Sequence, residues 1–147
     1  MQNSRGMYGS ETETDPIAHT LGVAGAPLGL PEYGAIYEGD MVQFNDGSLE
    51  YVLTFKDVPV NEFWSITVYT EEGFFFDVES QSINSYQAIP NEDFSYTIHF
   101  SNDSSKKNCL NIGEHWMYVV RMYEPKQEII DGIWSFPKPI LFQNSLY

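Results

Sequence analysis

The residues best suited to metal binding or nucleophilic chemistry are three histidines and one cysteine. His19, His99 and His115 lack the short spacing of a metal-binding motif, and they fall on a predicted helix, a strand and the start of another strand. We expect separate surface or packed histidines, and a shared metal site with an acidic residue is the alternative. Cys109 alone forms neither an intrachain disulfide nor a thiolate zinc site, so we interpret it as a packed thiol rather than a nucleophile. The sequence therefore predicts no metal and no cofactor.

Carboxylates are abundant, with 21 aspartates and glutamates against seven lysines and arginines. An acid and base pair of the glycosidase type needs one carboxylate in an apolar pocket, and adjacent acids such as Glu71 and Glu72 are more typical of solvated charge. The segment Asn45–Ser48 lacks the alternating ligands of a calcium loop and fits a hairpin turn. The sequence contains neither Gly-x-Ser-x-Gly nor a phosphate-binding glycine loop followed by lysine. No catalytic motif therefore emerges.

Arg121 has the most unusual surroundings of the seven basic residues. It lies inside the apolar segment "MYVVRMY", where strand alternation places it on one face with Met117, Val119 and Tyr123. An arginine on such a face predicts either a structural ion pair with a carboxylate or a binding site for an anionic ligand.

The net charge of −14 argues against two classes of partner. Phosphate backbones and anionic membrane surfaces attract clusters of lysine and arginine, which this sequence lacks. No segment has the roughly 20 consecutive apolar residues of a membrane span, and the first 15 residues lack the apolar core of a secretion signal. We expect a soluble protein that binds no nucleic acid, either cytoplasmic or exported with its signal absent from this chain.

Alternation of apolar and polar residues predicts most of the secondary structure. The predicted strands are 35–40, 41–44, 49–55, 63–70, 74–78, 94–100 and 115–123, with an edge strand in the proline-containing tail 133–142. The turns Asn45–Ser48 and Glu71–Gly73 join neighbouring strands as hairpins, and 81–93 is predicted to be a polar connection. Asp15 and Pro16 predict the start of a short helix, and a second helical turn is predicted between Pro125 and Gly132.

Seven or eight short strands with two short helices are typical of a mainly β, antiparallel two-sheet β-sandwich or jelly roll. A length of 147 residues fits one domain with a core of its own. Residues 1–14 are polar and non-periodic, so we predict a flexible N-terminal arm, and residues 15–147 form the single predicted domain.

Several motifs follow one another in a specific order. They are "LGLPEYGAIY", "VPVNEFWSITVYTEEGFF" and "INSYQAI", and near the end the residues Asn108, Leu110, Arg121, Tyr123, Pro125, Asp131, Gly132, Trp134 and Pro137. The order resembles the domain of unknown function 1214 (DUF1214), whose members carry P-P-V-x-x-F-W-S-L-T-x-Y-x-x-x-G. Three positions depart from its pattern: Ser85 stands where arginine is usual, Cys109 where tryptophan is usual and Asn111 where proline is usual.

The resemblance implies a jelly-roll-like β-sandwich and no established reaction. Members commonly form the C-terminal half of longer proteins behind a second domain, DUF1254. We therefore expect a small stand-alone member whose partners are a second copy of itself, a DUF1254-like domain or a small-molecule ligand. The motif residues with polar tips are the candidate ligand-binding residues: Trp64, Tyr69, Tyr86, Arg121 and Tyr123. Trp64 is also the kind of residue that packs between two sheets.

Three functions follow from these observations. We interpret the protein as a non-enzymatic jelly-roll module that binds a ligand or assembles with itself or a partner. The alternatives are an enzyme that acts on a small organic or carbohydrate substrate in a sandwich pocket, and a capsid-like structural component.

Overall fold

The computed structural model describes residues 2–10, 12–25 and 29–142. In chain order its elements are β1 (Gln2–Asn3), α1 (Pro16–Gly25), β2 (Ala35–Asp40), β3 (Tyr51–Phe55), β4 (Trp64–Thr70), β5 (Ser82–Asn84), β6 (Tyr96–Phe100), β7 (Cys109–Leu110), β8 (Trp116–Tyr123), α2 (Gln127–Ile130) and β9 (Ile140–Leu141). Parts of the predicted arm and domain, namely residues 1, 11, 26–28 and 143–147, lie outside the described residues.

Two sheets are formed by the described strands. One has the order β1-β2-β8-β4-β5 and the other the order β7-β6-β3-β9. Every strand pair is antiparallel except β6 with β7, which is parallel. The long strand β8 is the centre of the five-stranded sheet, and its register places Arg121 opposite Tyr37 on β2 and opposite Ser65 on β4.

The interior lies between the two sheets, because alternate residues of each long strand turn inward. On β8 the buried and partly exposed residues alternate without a break. The largest fully buried side chains include Trp116, Tyr118, Phe100, Ile36, Leu53, Ile66, Ile98, Leu110 and Met122. Trp64 packs edge-on against Phe55 of the opposite sheet, with ring centroids 4.8 Å apart. The predicted β-sandwich is therefore confirmed, and the inward position expected for Trp64 is also observed.

The chain passes repeatedly from one sheet to the other, which gives the sandwich its jelly-roll-like connectivity. Successive strands β2, β3 and β4 belong to alternating sheets, as do β7, β8 and β9. The predicted strand 41–44 and its hairpin with 49–55 are wrong for this reason, since Met41–Phe44 is the connection that crosses between sheets. Gly47 still has the positive φ, +78°, that the turn sequence predicts.

The turn predicted after β4 exists, but the hairpin with 74–78 is wrong, because those residues form no strand and β4 pairs with β5 instead. The carbonyl of Phe74 accepts the backbone N–H of Thr70 at 2.8 Å, so the chain turns back at once and leaves Phe74 and Phe75 exposed. Three consecutive phenylalanines do not alternate and cannot all face one core. β5 lies inside the predicted polar connection because it is an edge strand whose Ile83 alone is buried.

The two predicted helices are confirmed. The carboxylate of Asp15 accepts the backbone N–H groups of Ile17 and Ala18, at 3.0 and 2.8 Å, as an N-cap does. After α2, Gly132 has φ +71° at the position expected for a helix-terminating glycine. Neither described helix is long and apolar enough to cross a membrane.

Both ends of the described chain contact the sandwich. At the N-terminal end β1 pairs with β2, although the flexibility of residues 1–14 stays a prediction. In the tail, Phe136 is buried in the core and β9 pairs with the edge of β3. The tail therefore docks on its own sandwich through an edge strand, as its prolines and apolar residues predict.

Candidate ligand-binding face

The outer surface of the five-stranded sheet carries Arg121 on its central strand. The guanidinium reaches from β8 to the neighbouring strand β4. Its Nη1 donates to Oγ1 of Thr67 at 3.0 Å, and its Nη2 donates to the hydroxyl of Tyr69 at 2.5 Å. Thr67 is only 5% exposed although it belongs to the outer face, because Arg121 lies over it. Thr67 in turn shares a 3.0 Å hydrogen bond with Ser82 on the edge strand.

The guanidinium keeps unused hydrogen-bonding capacity. Arginine has five N–H donors, and two of them are used in the described structure. Arg5, Lys106 and Lys138 each form an ion pair with a carboxylate. The described residues provide no such partner for Arg121. Four lysines and arginines have no carboxylate partner among the described residues. Of these, Arg121 is half-buried, whereas Lys56, Lys107 and Lys126 are exposed. The structural ion pair, one of the two possibilities predicted for Arg121, is therefore absent from the described part of the chain.

Three tyrosines surround Arg121: Tyr37, Tyr69 and Tyr123. We call these four residues the arginine–tyrosine face. Tyr37 lies opposite Arg121 on β2, and Tyr123 is the next outward residue along β8. Burial raises the pKa of Tyr123, and the neighbouring Tyr37 and Tyr69 add to this while Arg121 opposes it. Tyr123 consequently stays a hydroxyl at neutral pH and offers a neutral hydrogen-bond donor.

Further aromatic rings extend the arginine–tyrosine face. Phe63 stacks on Tyr123 with ring centroids 4.3 Å apart, and Tyr86 lies 5.5 Å from Phe63. At the other end, Phe75 stacks on Tyr69 at 5.1 Å. Tyr86 and Phe75 are 72% and 64% exposed, so both present free aromatic surface to a ligand or partner.

Of the five candidate residues from the sequence, four share this side of the sheet. Tyr69, Arg121 and Tyr123 belong to the arginine–tyrosine face, and Tyr86 joins it through Phe63. Trp64 does not, because it is 3% exposed and faces the interior. The sheet therefore separates Trp64 from any ligand that contacts Arg121.

Other groups with chemical potential lie elsewhere. His99 is on the outer surface of the four-stranded sheet, where burial and the nearby Lys106 lower its pKa. Cys109 is buried, and burial raises the pKa of its thiol, which disfavours the reactive thiolate. His115 lies 3.9 Å from Glu71 in an exposed pair. No group of three His, Cys, Asp or Glu side chains in the described chain is arranged to hold a metal ion.

Three contributors to the face were missed by sequence reasoning. Tyr37 and Thr67 meet Arg121 only because of strand register, which one sequence does not specify. Phe63 directly precedes Trp64 in the recognised motif, and the alternation of β4 places the two on opposite sides of the sheet. That alternation was the available signal for Phe63.

The fold and this surface define a two-sheet β-sandwich with an arginine and aromatic residues on the outside of its larger sheet. The sequence profile of the family described as "Protein of unknown function (DUF1214)" matches residues 33–127, well over half of the chain. The protein belongs to the DUF1214 family, and its membership was predicted from the order of its motifs.

Two solved structures share the fold. The VPA0106 protein of Vibrio parahaemolyticus is 21% identical with a TM-score of 0.78, over 97% of this chain and 40% of its own. An uncharacterised protein from Burkholderia cenocepacia is 16% identical with a TM-score of 0.56, over 74% of this chain and 29% of its own. This chain thus spans less than half the length of either protein. A search of curated proteins gave no match.

Proposed function

We propose that the protein is a non-enzymatic binding module that holds a carboxylate group on the arginine–tyrosine face. The observation that carries the proposal is the half-buried Arg121, whose guanidinium has unused donors and no carboxylate partner within the described chain. A partly desolvated charge is costly until an opposite charge meets it, and a planar guanidinium suits a carboxylate.

The aromatic residues favour an acid with a flat apolar body. A ring beside the carboxylate can pack against Tyr123 or the exposed Tyr86, since aromatic rings attract one another edge-on or offset. Tyr69 already holds one side of the guanidinium, so Arg121 is fixed before the ligand arrives. This preorganisation lowers the entropy cost of binding.

Binding is favoured over catalysis by the location of the reactive groups. The enzyme hypothesis needs at least two reactive polar groups to converge on one substrate. His99 and Arg121 lie on opposite outer surfaces of the sandwich, and Cys109 is buried. The arginine–tyrosine face therefore provides hydroxyl and guanidinium donors, which suit recognition.

Titration with benzoate, followed by backbone amide NMR, tests the proposal. We expect benzoate to shift the amide signals around Thr67, Tyr69 and Arg121. Arg121→Gln should weaken benzoate binding by about tenfold or more, as expected for a lost charge-assisted hydrogen bond. The matched control is Lys126→Gln, which removes the same charge from an exposed side chain and should leave the affinity unchanged. Equal binding by both variants, or no binding at tens of millimolar benzoate, would refute a carboxylate site here.

A carboxylate from a second copy or a partner domain is the other source of the same chemistry. The Vibrio parahaemolyticus protein is the reason to test for a partner domain. The match covers 40% of that longer chain, so most of it lies outside the matched region. Sedimentation velocity over a wide concentration range separates the cases. Self-association that Arg121→Gln abolishes assigns the face to assembly, whereas a monomer that binds benzoate assigns it to a small acid.

A further inference from the structure

A cavity of about 390 Å³ opens between the two sheets, away from the arginine–tyrosine face. Its walls come from both sheets and from the chain segments that cross between them. Tyr118 on β8 and Tyr51 on β3 line the interior side, and Val42 and Phe44 belong to the crossing connection. The tail completes the wall with Leu141 and neighbouring residues. The volume falls in the range of about 300–1,000 Å³ that small-molecule sites occupy.

Tyr118 is the unusual member of this wall. It is fully buried, and its hydroxyl has no hydrogen-bond partner among the described residues. A buried polar group without a partner costs folding free energy, so native proteins rarely retain one without a reason. A ligand oxygen that reached this hydroxyl would recover that free energy.

The hydroxyl of Tyr118 is a donor over the whole physiological pH range. Burial raises the pKa of Tyr118 far above that of free tyrosine, and the negative charges of Asp40 and Glu38 raise it further. The same negative charges disfavour an anionic ligand at this end of the cavity. Lys138, which could attract an anion, is paired with Asp40 at 2.9 Å. The surroundings therefore favour a neutral oxygen that accepts a hydrogen bond.

The remaining wall combines the apolar Met41, Val42, Phe44, Pro139 and Leu141 with the polar Asp40, Gln43 and Lys138, and the backbone of its connection is held at Phe44. Phe44 is fixed through its backbone, because its N–H donates to the hydroxyl of Tyr51 at 3.3 Å and its carbonyl accepts from that hydroxyl at 3.2 Å. Val42 is partly buried against the core, and Phe44 is 55% exposed. Apolar surface with a small number of polar groups is the usual composition of a ligand site.

From these contacts we infer that the cavity binds a small neutral organic molecule with a carbonyl or hydroxyl oxygen. The oxygen accepts a hydrogen bond from Tyr118, and the apolar body packs against Val42, Phe44 and Leu141. Because the hydroxyl is closed to water in the free protein, binding moves side chains of the cavity wall to expose it. The site is independent of the carboxylate site at Arg121, which lies on the outer surface of the sheet.

Acetophenone and ethylbenzene make a matched pair of probes, since they share an aromatic ring and differ in the carbonyl oxygen. We expect acetophenone to bind more tightly than ethylbenzene and to shift the amide signals of residues 41–44 and 118. Tyr118→Phe should weaken acetophenone binding about fivefold, the value of one neutral hydrogen bond, and leave ethylbenzene binding unchanged. This variant removes an unpartnered hydroxyl and keeps the ring, so it should fold normally.

Two further variants locate the site. Val42→Trp fills the cavity and should abolish binding of both probes, whereas Arg121→Gln should change neither. Acetophenone that fails to bind, that shifts signals elsewhere, or that binds Tyr118→Phe as tightly as wild type would overturn the inference. Benzoate titration tests the carboxylate site at Arg121 separately from the cavity, because Tyr118→Phe should leave benzoate binding unchanged.

Discussion

The guanidinium of Arg5 lies 3.7 Å from the carboxylate of Glu38, a residue that is only 2% exposed inside the sandwich. Glu38 also accepts the backbone N–H of Phe136 at 3.2 Å, so the arm and the tail of the chain meet at one buried charge. Arg5 donates in addition to the carbonyls of Ile129 and Ile130, at 2.5 and 3.2 Å. One arginine in the N-terminal arm thus joins β2 to the end of α2.

Glu38→Gln should gain stability relative to wild type as the pH rises. Burial raises the pKa of Glu38 above its ordinary value of 4.5, and this outweighs the opposing effects of Phe136 and Arg5. A raised pKa means that the stability contributed by Glu38 is complete below pH 4.5 and is lost as the pH rises through the raised pKa. Glutamine does not titrate and escapes this loss. Urea denaturation of both proteins from about pH 4 to about pH 8 measures the difference.

Glu50→Gln is the control with the opposite sign. Hydrogen bonds from Lys106 and Ser101 lower the pKa of Glu50, so its contribution is present above the ordinary pKa and is lost as the pH falls through the lowered value. Relative to wild type, Glu50→Gln should therefore be less stable at neutral pH, with a difference that shrinks in acid. The interpretation of Glu38 is wrong if its variant follows the same trend as this control.

Arg5→Ala should lower the free energy of unfolding by about 2 kcal/mol. It removes the partner of a buried carboxylate and two hydrogen bonds to carbonyls, and the expected cost is below that of a fully buried pair because Arg5 is 23% exposed. Lys56→Ala removes the same charge from an exposed side chain and should change stability by less than about 0.5 kcal/mol. Equal effects of the two substitutions in thermal or urea denaturation would show that Arg5 stabilises nothing specific.

The strands of the sandwich were predictable where apolar and polar residues alternate along the sequence. Strands and connections that depend on contacts with distant parts of the chain were missed. The alternation around Val120 and Arg121 predicts the observed β8, and Asp15 predicts the start of α1. Strand β5 escaped prediction because an edge strand buries little and its sequence stays polar. The cross-over at Met41–Phe44 escaped it because a short apolar run fits a strand as well as a connection.

In the candidate site, too, some features were predictable from alternation and others depend on strand register. Period-two alternation places Arg121 and Tyr123 on one face without any structure. The contacts of Arg121 with Thr67 and Tyr69 depend on register between β8 and β4, which long-range packing determines. Arg5 illustrates the extreme case, since its segment has the composition of a flexible arm and its partners lie far along the chain.

Gly47→Ala and Gly73→Ala should differ in cost although both glycines have a positive φ, +78° and +86°. A Cβ on Gly47 would lie 2.8 Å from the backbone carbonyl carbon of Gly113, whereas a Cβ on Gly73 would meet nothing within 4 Å. Gly73→Ala should therefore cost only the left-handed strain, about 1 kcal/mol, and Gly47→Ala about 1–3 kcal/mol more, because the connection before β3 must move away from Gly113. Urea denaturation gives both values. Equal losses would mean that the backbones at Gly47 and Gly113 do not pack as closely as this structure places them.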